Sequence, residues 1–270
     1  MKFRVFFSFS LAVLSAAPLA AQLVAPNGAG ASIGHVHLNV HDVEAQQHFL
    51  TELGGTLIRN EKLLMVQFPG IYIAFRKQDP TGAAVGSVVN HFGLHVKSLG
   101  DWLPKWEAAG LKIQRGNNPK QLFVSGPDNI RVEIIEDASI PASIMMHHIH
   151  MYVPDPAATQ AWYVKNFGAI AGKRNANLAA TVPGAEISIG KSDTELLSTR
   201  GRLIDHIGFE IKDLDQFVKK IQAAGVQVEV PGIRKSTNVS KLRFAFITDP
   251  WGTYIELTEG LSPSPVGVGQ

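Results

Sequence analysis

A pattern that recurs along the chain restricts its folding more than any single motif does. Asn90–His91–Phe92–Gly93–Leu94–His95–Val96–Lys97 and Asp205–His206–Ile207–Gly208–Phe209–Glu210–Ile211–Lys212 share one arrangement at an offset of 115 residues. The same offset aligns Trp106–Glu107–Ala108–Ala109–Gly110 with Ile221–Gln222–Ala223–Ala224–Gly225, each an amphipathic stretch that stops at a glycine suited to a helix C-terminus. Earlier in each half, Gly34–His35–Val36–His37–Leu38–Asn39–Val40 matches His147–His148–Ile149–His150–Met151–Tyr152–Val153 at an offset of 113. A repeat of this length is one supersecondary unit whose apolar face has to be covered by another copy.

Each unit reads as a strand, a helix and three short strands. The first two give 33–40, 42–53 and strands near 56–59, 63–68 and 70–76, then 90–96, 98–109 and strands near 111–114, 121–124 and 130–135. The second half repeats the order with 147–153, 155–167 and strands to 190, then 204–211, 213–224 and strands near 226–230, 242–247 and 253–258. Asp42, Ser98, Asp155 and Asp213 stand where helix N-caps belong, and Pro156 follows at a first helical position, where its missing N–H costs nothing. Asp137–Ser143, with Pro141, is the natural linker, so consecutive units are expected to pair into domains at 32–137 and 145–259.

The two ends carry other information. Lys2 and Arg4 precede an apolar run, Val5 to Ala17, that is too short to span a membrane, so residues 1–21 read as an export signal cut near Ala21–Gln22. A membrane anchor is the alternative. The expected location is periplasmic or secreted, with no membrane association once the signal is removed. About 249 residues then remain, enough for two ordinary domains, and the tail at 260–270, rich in Gly, Pro and Ser, reads as disordered. Losing Lys2 and Arg4 takes the formal charge from +2 to zero, and without a basic run nucleic acid is not an expected partner. The chain has no cysteine, so any metal must be held by its ten histidines and its carboxylates.

Strand alternation puts His35, His37 and Asn39 on one face and Val36, Leu38 and Val40 on the other, which must pack on helices. The same split sends His91 and His95, His148 and His150, and His206 to the face away from the helices. Ile130–Arg131–Val132–Glu133 and Thr253–Tyr254–Ile255–Glu256 send Glu133 and Glu256 there too. Two imidazoles and a carboxylate on adjacent strands suit a divalent first-row metal with open coordination positions.

These residues resemble the vicinal oxygen chelate superfamily, which includes the glyoxalases, bleomycin-resistance proteins and extradiol dioxygenases. The resemblance covers nearly the whole mature chain, including Pro127–Asp128–Asn129 and Asp249–Pro250–Trp251–Gly252 before the closing Glu. It implies an α+β fold of four βαβββ units paired into two glyoxalase-like domains. It also implies metal ligands His35, His91 and Glu133 in the first domain and His148, His206 and Glu256 in the second, binding Fe2+, Mn2+ or Zn2+. Four-ligand members add an acidic ligand where this chain has Ala74 and Ser188, which favours a three-ligand centre. The extradiol signature carries a His and a Tyr where this chain has Phe246 and Asn238, so ring cleavage loses its usual acid–base partners.

His37 and His150 are alternative ligands, acid–base residues or supports of the ligands, and His150 and Tyr254 are the candidates for catalysis. Tyr254, and Arg131 at the equivalent point, are placed to read an anionic or phenolic group of a substrate. Trp102, Trp106, Trp162, Phe167 and Phe217 read as core, and His41, His48 and His147 carry no functional weight. The expectation is an exported metal-dependent enzyme, a dioxygenase or a lyase/isomerase, acting on a small molecule with vicinal oxygens. The alternative is a non-catalytic, resistance-type module that sequesters a small ligand in the same concavity. Association into a homo-oligomer stays open.

Overall fold

A computed structural model of the chain describes residues 23–263. The export segment at 1–21 and the tail beyond Pro263 lie outside the described residues. Four βαβββ units follow one another. The first is β1 (Ala31–Val40), α1 (Val43–Glu52), β2 (Thr56–Asn60), β3 (Leu63–Phe68) and β4 (Ile71–Lys77), and the second is β5 (Val89–Val96), α2 (Leu99–Ala108), β6 (Lys112–Arg115), β7 (Gln121–Ser125) and β8 (Arg131–Glu136). The third is β9 (Ile144–Val153), α3 (Pro156–Phe167), β10 (Ile170–Arg174), β11 (Asn177–Val182) and β12 (Ala185–Lys191), and the fourth is β13 (Ile204–Ile211), α4 (Leu214–Ala223), β14 (Arg234–Lys235), β15 (Arg243–Thr248) and β16 (Tyr254–Glu259). No helix among the described residues is long and apolar enough to cross a membrane.

The expected caps form. Asp42 accepts from the Ala45 amide at 3.0 Å, Asp155 from Ala158 at 3.0 Å, Asp213 from Gln216 at 3.0 Å and Ser98 from Asp101 at 3.3 Å, each satisfying a donor that the first helical turn leaves open. Only the strand expected near 226–230 is missing. There the chain makes a single bridge, Val228 to Ile247. Pro231 then offers no N–H, Gly232 turns at φ 90°, and pairing resumes at Arg234.

The units do not pair in chain order. One sheet, called sheet I here, runs β14-β15-β16-β13-β1-β4-β3-β2, and sheet II runs β10-β11-β12-β9-β5-β8-β7-β6. Sheet I therefore joins the first unit to the fourth, and sheet II the second to the third. This corrects the expectation that 32–137 and 145–259 each close a sheet of their own. The stretch around Pro141 connects two units of the same sheet, while residues 78–88 and 192–203 cross between sheets. The crossings run side by side, with Thr81 N–H on Gly201 O at 2.8 Å, Leu203 N–H on Gly82 O at 3.0 Å and Val88 N–H on Leu197 O at 3.0 Å.

Sequence neighbours meet through their helices instead. Trp106 of α2, fully buried, donates its indole N–H to Leu53 O beyond α1 at 3.2 Å, and Phe167 at the end of α3 lies 5.6 Å from Phe217 of α4. Phe167 also stacks on Phe209 of β13 at 4.1 Å, joining the helices of one sheet to the strands of the other. Val36, Leu38 and Val40 are fully buried in this shared core, as are Phe92, Ile149 and Ile207. Each such side chain contributes roughly 1.5–3 kcal/mol by leaving water. The opposite faces of the leading strands are thereby left to line concavities.

The described start of the tail is packed, contrary to the expectation of disorder from residue 260. Leu261 is buried, its carbonyl accepts from Asn60 Nδ2 at 2.8 Å, and the amides of Gly260 and Leu261 donate to Glu210 at 2.8 and 3.2 Å. Burial pushes the Glu210 carboxyl up to about 7, outweighing the hydrogen bonds from Thr258, Gly260 and Leu261. The folded chain thus holds a proton that the unfolded chain releases near the ordinary value of 4.5, so this group's stabilisation is complete below that pH and lost by about 7. Glu210→Gln is expected to remove the dependence. Between pH 4.5 and 7 wild-type stability should fall relative to the variant by on the order of 2 kcal/mol, read from denaturant titrations. Parallel curves would refute the assignment.

Candidate metal centres

The antiparallel register of the leading strands builds both centres. In sheet I, His35 of β1 stands opposite Gly208 of β13, and His37 opposite His206. In sheet II, His148 of β9 stands opposite Gly93 of β5, and His150 opposite His91. The glycines are required. A Cβ at Gly208 would lie 2.0 Å from His35 Cε1, and one at Gly93 would lie 2.1 Å from His148 Cε1. With hydrogen alone at those positions, one imidazole crosses the neighbouring backbone and reaches the carboxylate of the next strand, since Glu256 of β16 is opposite Gly208 and Glu133 of β8 is opposite Gly93.

In site I, Glu256 Oε2 lies 2.9 Å from His35 Nε2 and 3.1 Å from His206 Nε2. In site II, Glu133 Oε2 lies 2.9 Å from His91 Nε2 and 3.0 Å from His148 Nε2. Ligand atoms of His91, Glu133, His148 and His150 all fall within 4.8 Å of one another, as do those of His35, His37 and His206. The six expected ligands converge, but in exchanged partnership. His35 joins His206 and Glu256, and His148 joins His91 and Glu133. The grouping expected from the half-chains is corrected for the reason given by the sheets, because each centre needs leading strands that are hydrogen-bonded neighbours.

Other expected residues fall into place differently. Tyr254 turns its hydroxyl away from the centre and donates to Glu229 at 3.1 Å, while its ring stacks on Phe246 at 4.7 Å and meets His206 edge-on at 5.8 Å. Burial and the neighbouring Glu229 carboxylate push its phenol well above the ordinary tyrosine value. Arg131 lies over Phe123 at 3.5 Å. Ala74 and Ser188 stand opposite His37 and His150, so those imidazoles take the position next to the absent fourth carboxylate. His150 Nε2 also accepts from Asn177 Nδ2 at 3.3 Å.

Sequence reasoning passed over the residues that orient the ligands. Asp205 Oδ2 accepts from His206 Nδ1 at 2.7 Å, and Asn90 Oδ1 meets His91 Nδ1 at 2.8 Å. The two precede the ligand at the same repeat position, which was the available signal. Such partners fix the tautomer and turn the other ring nitrogen toward the centre. Gln121 of β7 was also missed. It donates to Glu133 Oε1, and Arg174 lies 4.0 Å from the same oxygen. Nothing comparable was legible there, because Gln121 occupies the place of Phe244 in the other sheet.

Charge in both centres is settled by burial and by the shared carboxylates. Burial opposes ionisation of Glu133 and Glu256, yet the hydrogen bonds from His148 and His91, and from His206 and His35, hold both carboxyls below the usual carboxylate range. Burial lowers His148 to about 4 and His150 to about 3, and takes His35 and His37 below the ordinary imidazole value. His206 is raised, because hydrogen bonds to Asp205 and Glu256 overcome its burial. Mostly neutral imidazoles around ionised carboxylates are the protonation states that metal ligation requires.

The residues fit a divalent ion. Nitrogen and oxygen ligands at about 2.0–2.2 Å from a shared ion lie roughly 3 Å apart, which is the separation found in both triads. His37 Nε2, His150 Nδ1 and His35 Nδ1 are buried without a hydrogen-bond partner, an arrangement that is costly unless something else engages them.

Residues 145–257 match the profile of the family described as the Glyoxalase/Bleomycin resistance protein/Dioxygenase superfamily. That segment belongs to the superfamily. It contains one half of each centre, His148 for site II and His206 with Glu256 for site I. Among solved structures, glyoxalase I from Zea mays superposes with a TM-score of 0.67 at 16% identity, covering 85% of this chain and 92% of that one. A mutant of the same maize protein gives 0.68 at 19%, with 85% and 92% covered. A Bacillus subtilis protein provisionally named a dioxygenase gives 0.65 at 14%, with 86% of each chain covered. At these identities the likeness is one of fold, and it extends over both sheets. A search of curated protein sequences finds no significant match.

Gly208→Ala and Gly93→Ala are expected to displace His35 and His148 respectively. Each variant should lose about tenfold or more in affinity for added Zn2+ or Mn2+ at one centre and keep the other, as read by calorimetry. Unaltered binding in both would show that the imidazoles do not ligate.

Proposed function

We propose that this chain is an exported, metal-dependent enzyme of the glyoxalase and dioxygenase superfamily that acts on a small molecule with vicinal oxygens at site I. The observation that carries this reading is the convergence of His35 and His206 on one Glu256 oxygen at the wall of a cavity of about 350 Å³. His35, His206 and Glu256 would hold the metal, which when bound would supply Lewis-acid stabilisation of charge developing on a substrate oxygen. Iron(II), manganese and zinc all suit this ligand set. Asp205 keeps His206 oriented, and Phe246, edge-on to His206 at 5.3 Å, keeps water from that side of the ring. His37 faces the same cavity with its unpartnered Nε2, where it is positioned to hold a proton from the substrate.

For site II the same ligand types support a different role. Gln121 and Arg174 cover Glu133, whose side chain is 4% exposed against 14% for Glu256. A carboxylate engaged in this way suits a metal that braces sheet II, beside a cavity of about 260 Å³ that Glu133 lines with His95, Gln121, His147 and Arg174. Periplasmic or secreted location is part of the proposal and is supported by the charged and apolar pattern of residues 1–21.

Metal analysis after loading with Mn2+ or Zn2+ and desalting tests the assignment. Glu256→Ala and His35→Ala should remove the same ion, His91→Ala the other, and the pair His35→Ala with His91→Ala both. Unchanged metal content in Glu256→Ala would eliminate site I. Turnover of catechols or of α-hydroxy carbonyl adducts should require added metal and be lost in Glu256→Ala. Saturable binding of those compounds without turnover would instead favour a sequestering module.

A further inference from the structure

The cavity over site I is lined by three cations that the triad does not use, Arg76, Arg234 and Lys235. Its volume of about 350 Å³ is in the range of small-molecule sites, roughly 300–1,000 Å³. His35, His37, His206 and Glu256 form part of its wall, and Arg234, Phe244 and Phe246 line it as well. Arg234 stands on β14 opposite Phe244, with its guanidinium carbon 5.0 Å from the Phe244 ring centre and 5.1 Å from that of Phe246. Phe246 is in turn edge-on to His206 at 5.3 Å. The guanidinium is therefore one aromatic ring away from a proposed metal ligand.

Two of its donors are unengaged. Arg234 Nε and Nη2 are buried and have no hydrogen-bond partner. A guanidinium cannot shed its proton, and donors shielded from water without an acceptor are costly to keep. Adjacent Nε and Nη2 form the fork that a carboxylate fills bidentately. The loop carrying this residue is fixed from the first unit, since Asn238 O accepts from the Lys62 amide at 3.1 Å and Glu61 accepts from the Ser240 amide at 3.0 Å. Site II has no counterpart. Gln121 stands at the position of Phe244, and the nearby Arg174 is 3.8 Å from Glu186 and contacts His147.

We propose that Arg234 is the anion-binding residue of site I, and that the molecule taken there is a small carboxylate whose other end presents vicinal oxygens to His35, His206 and Glu256. The second half of that statement rests on the metal reading of site I; the first stands without it. The test is calorimetric binding to full-length wild type, Arg234→Gln and Arg234→Lys, with circular dichroism confirming the fold of each variant. On manganese-loaded wild type, 3,4-dihydroxybenzoate should bind about tenfold or more tightly than catechol. Arg234→Gln should abolish that preference while leaving catechol binding in place, and Arg234→Lys, which keeps the charge and loses the fork, should fall between. On metal-free protein, benzoate should bind weakly to wild type and more weakly still to Arg234→Gln. Arg234-dependent benzoate binding by a protein that takes up no metal would support the anion subsite while overturning the metal reading. A preference unchanged in Arg234→Gln, or no benzoate binding to wild type, would overturn the subsite.

Discussion

Each concave face closes around one carboxylate oxygen that two imidazoles approach from strands running in opposite directions. That contact sets demands on the backbone. The leading strands must be hydrogen-bonded neighbours, their register must place a histidine over a residue without a side chain, and the closing strand must bring its glutamate beside that residue. Gly208 and Gly93 meet the second demand. Once these positions are fixed, alternation commits Val36, Leu38, Phe92, Ile149 and Ile207 to the helix-packed side, and the core follows from the same register.

The two centres share this frame and differ in what surrounds it. Asp205 supports one histidine with a carboxylate, where Asn90 supports its counterpart with an amide. Both carboxylates line a cavity, but Gln121 donates to Glu133 where the other sheet has Phe244. The hydrogen bond to the charged Asp205 helps raise His206 against its burial. Duplication has thus preserved the geometry of the two imidazoles and the carboxylate while the side chains around them have diverged.

Much of this was legible in the sequence because it is local. The four units, their caps, the in-and-out alternation and the six ligand positions all depend on residues a few places apart. The partnership of units does not. The first and third units carry His-x-His, and the second and fourth carry His-x-Gly, so the glycine rule pairs an odd unit with an even one and leaves two arrangements open. Connections decide between them: the segments at 78–88 and 192–203 lie side by side and cross together, while the stretch near Pro141 stays within one sheet. The partner of the Tyr254 hydroxyl was not legible, because Glu229, which accepts from it, lies in a segment where a regular strand was expected and only a bridge forms. Arg234 escaped attention for a related reason, since β14 begins only after Pro231 and Gly232.

The interleaved order of the units also governs when each centre comes into being. Sheet II is built from segments contiguous in the chain, β5 to β12, and the rest of its concavity is present as soon as Lys191 has been made. Sheet I joins the first strand to the last ones, so β1 emerges early and waits for β13 and β16 before His35 has a companion. Contacts of such separation form late, because the long intervening loop must close first. The inner sheet can serve as the platform on which the outer one assembles, and the open centre is then the last part of the molecule to mature.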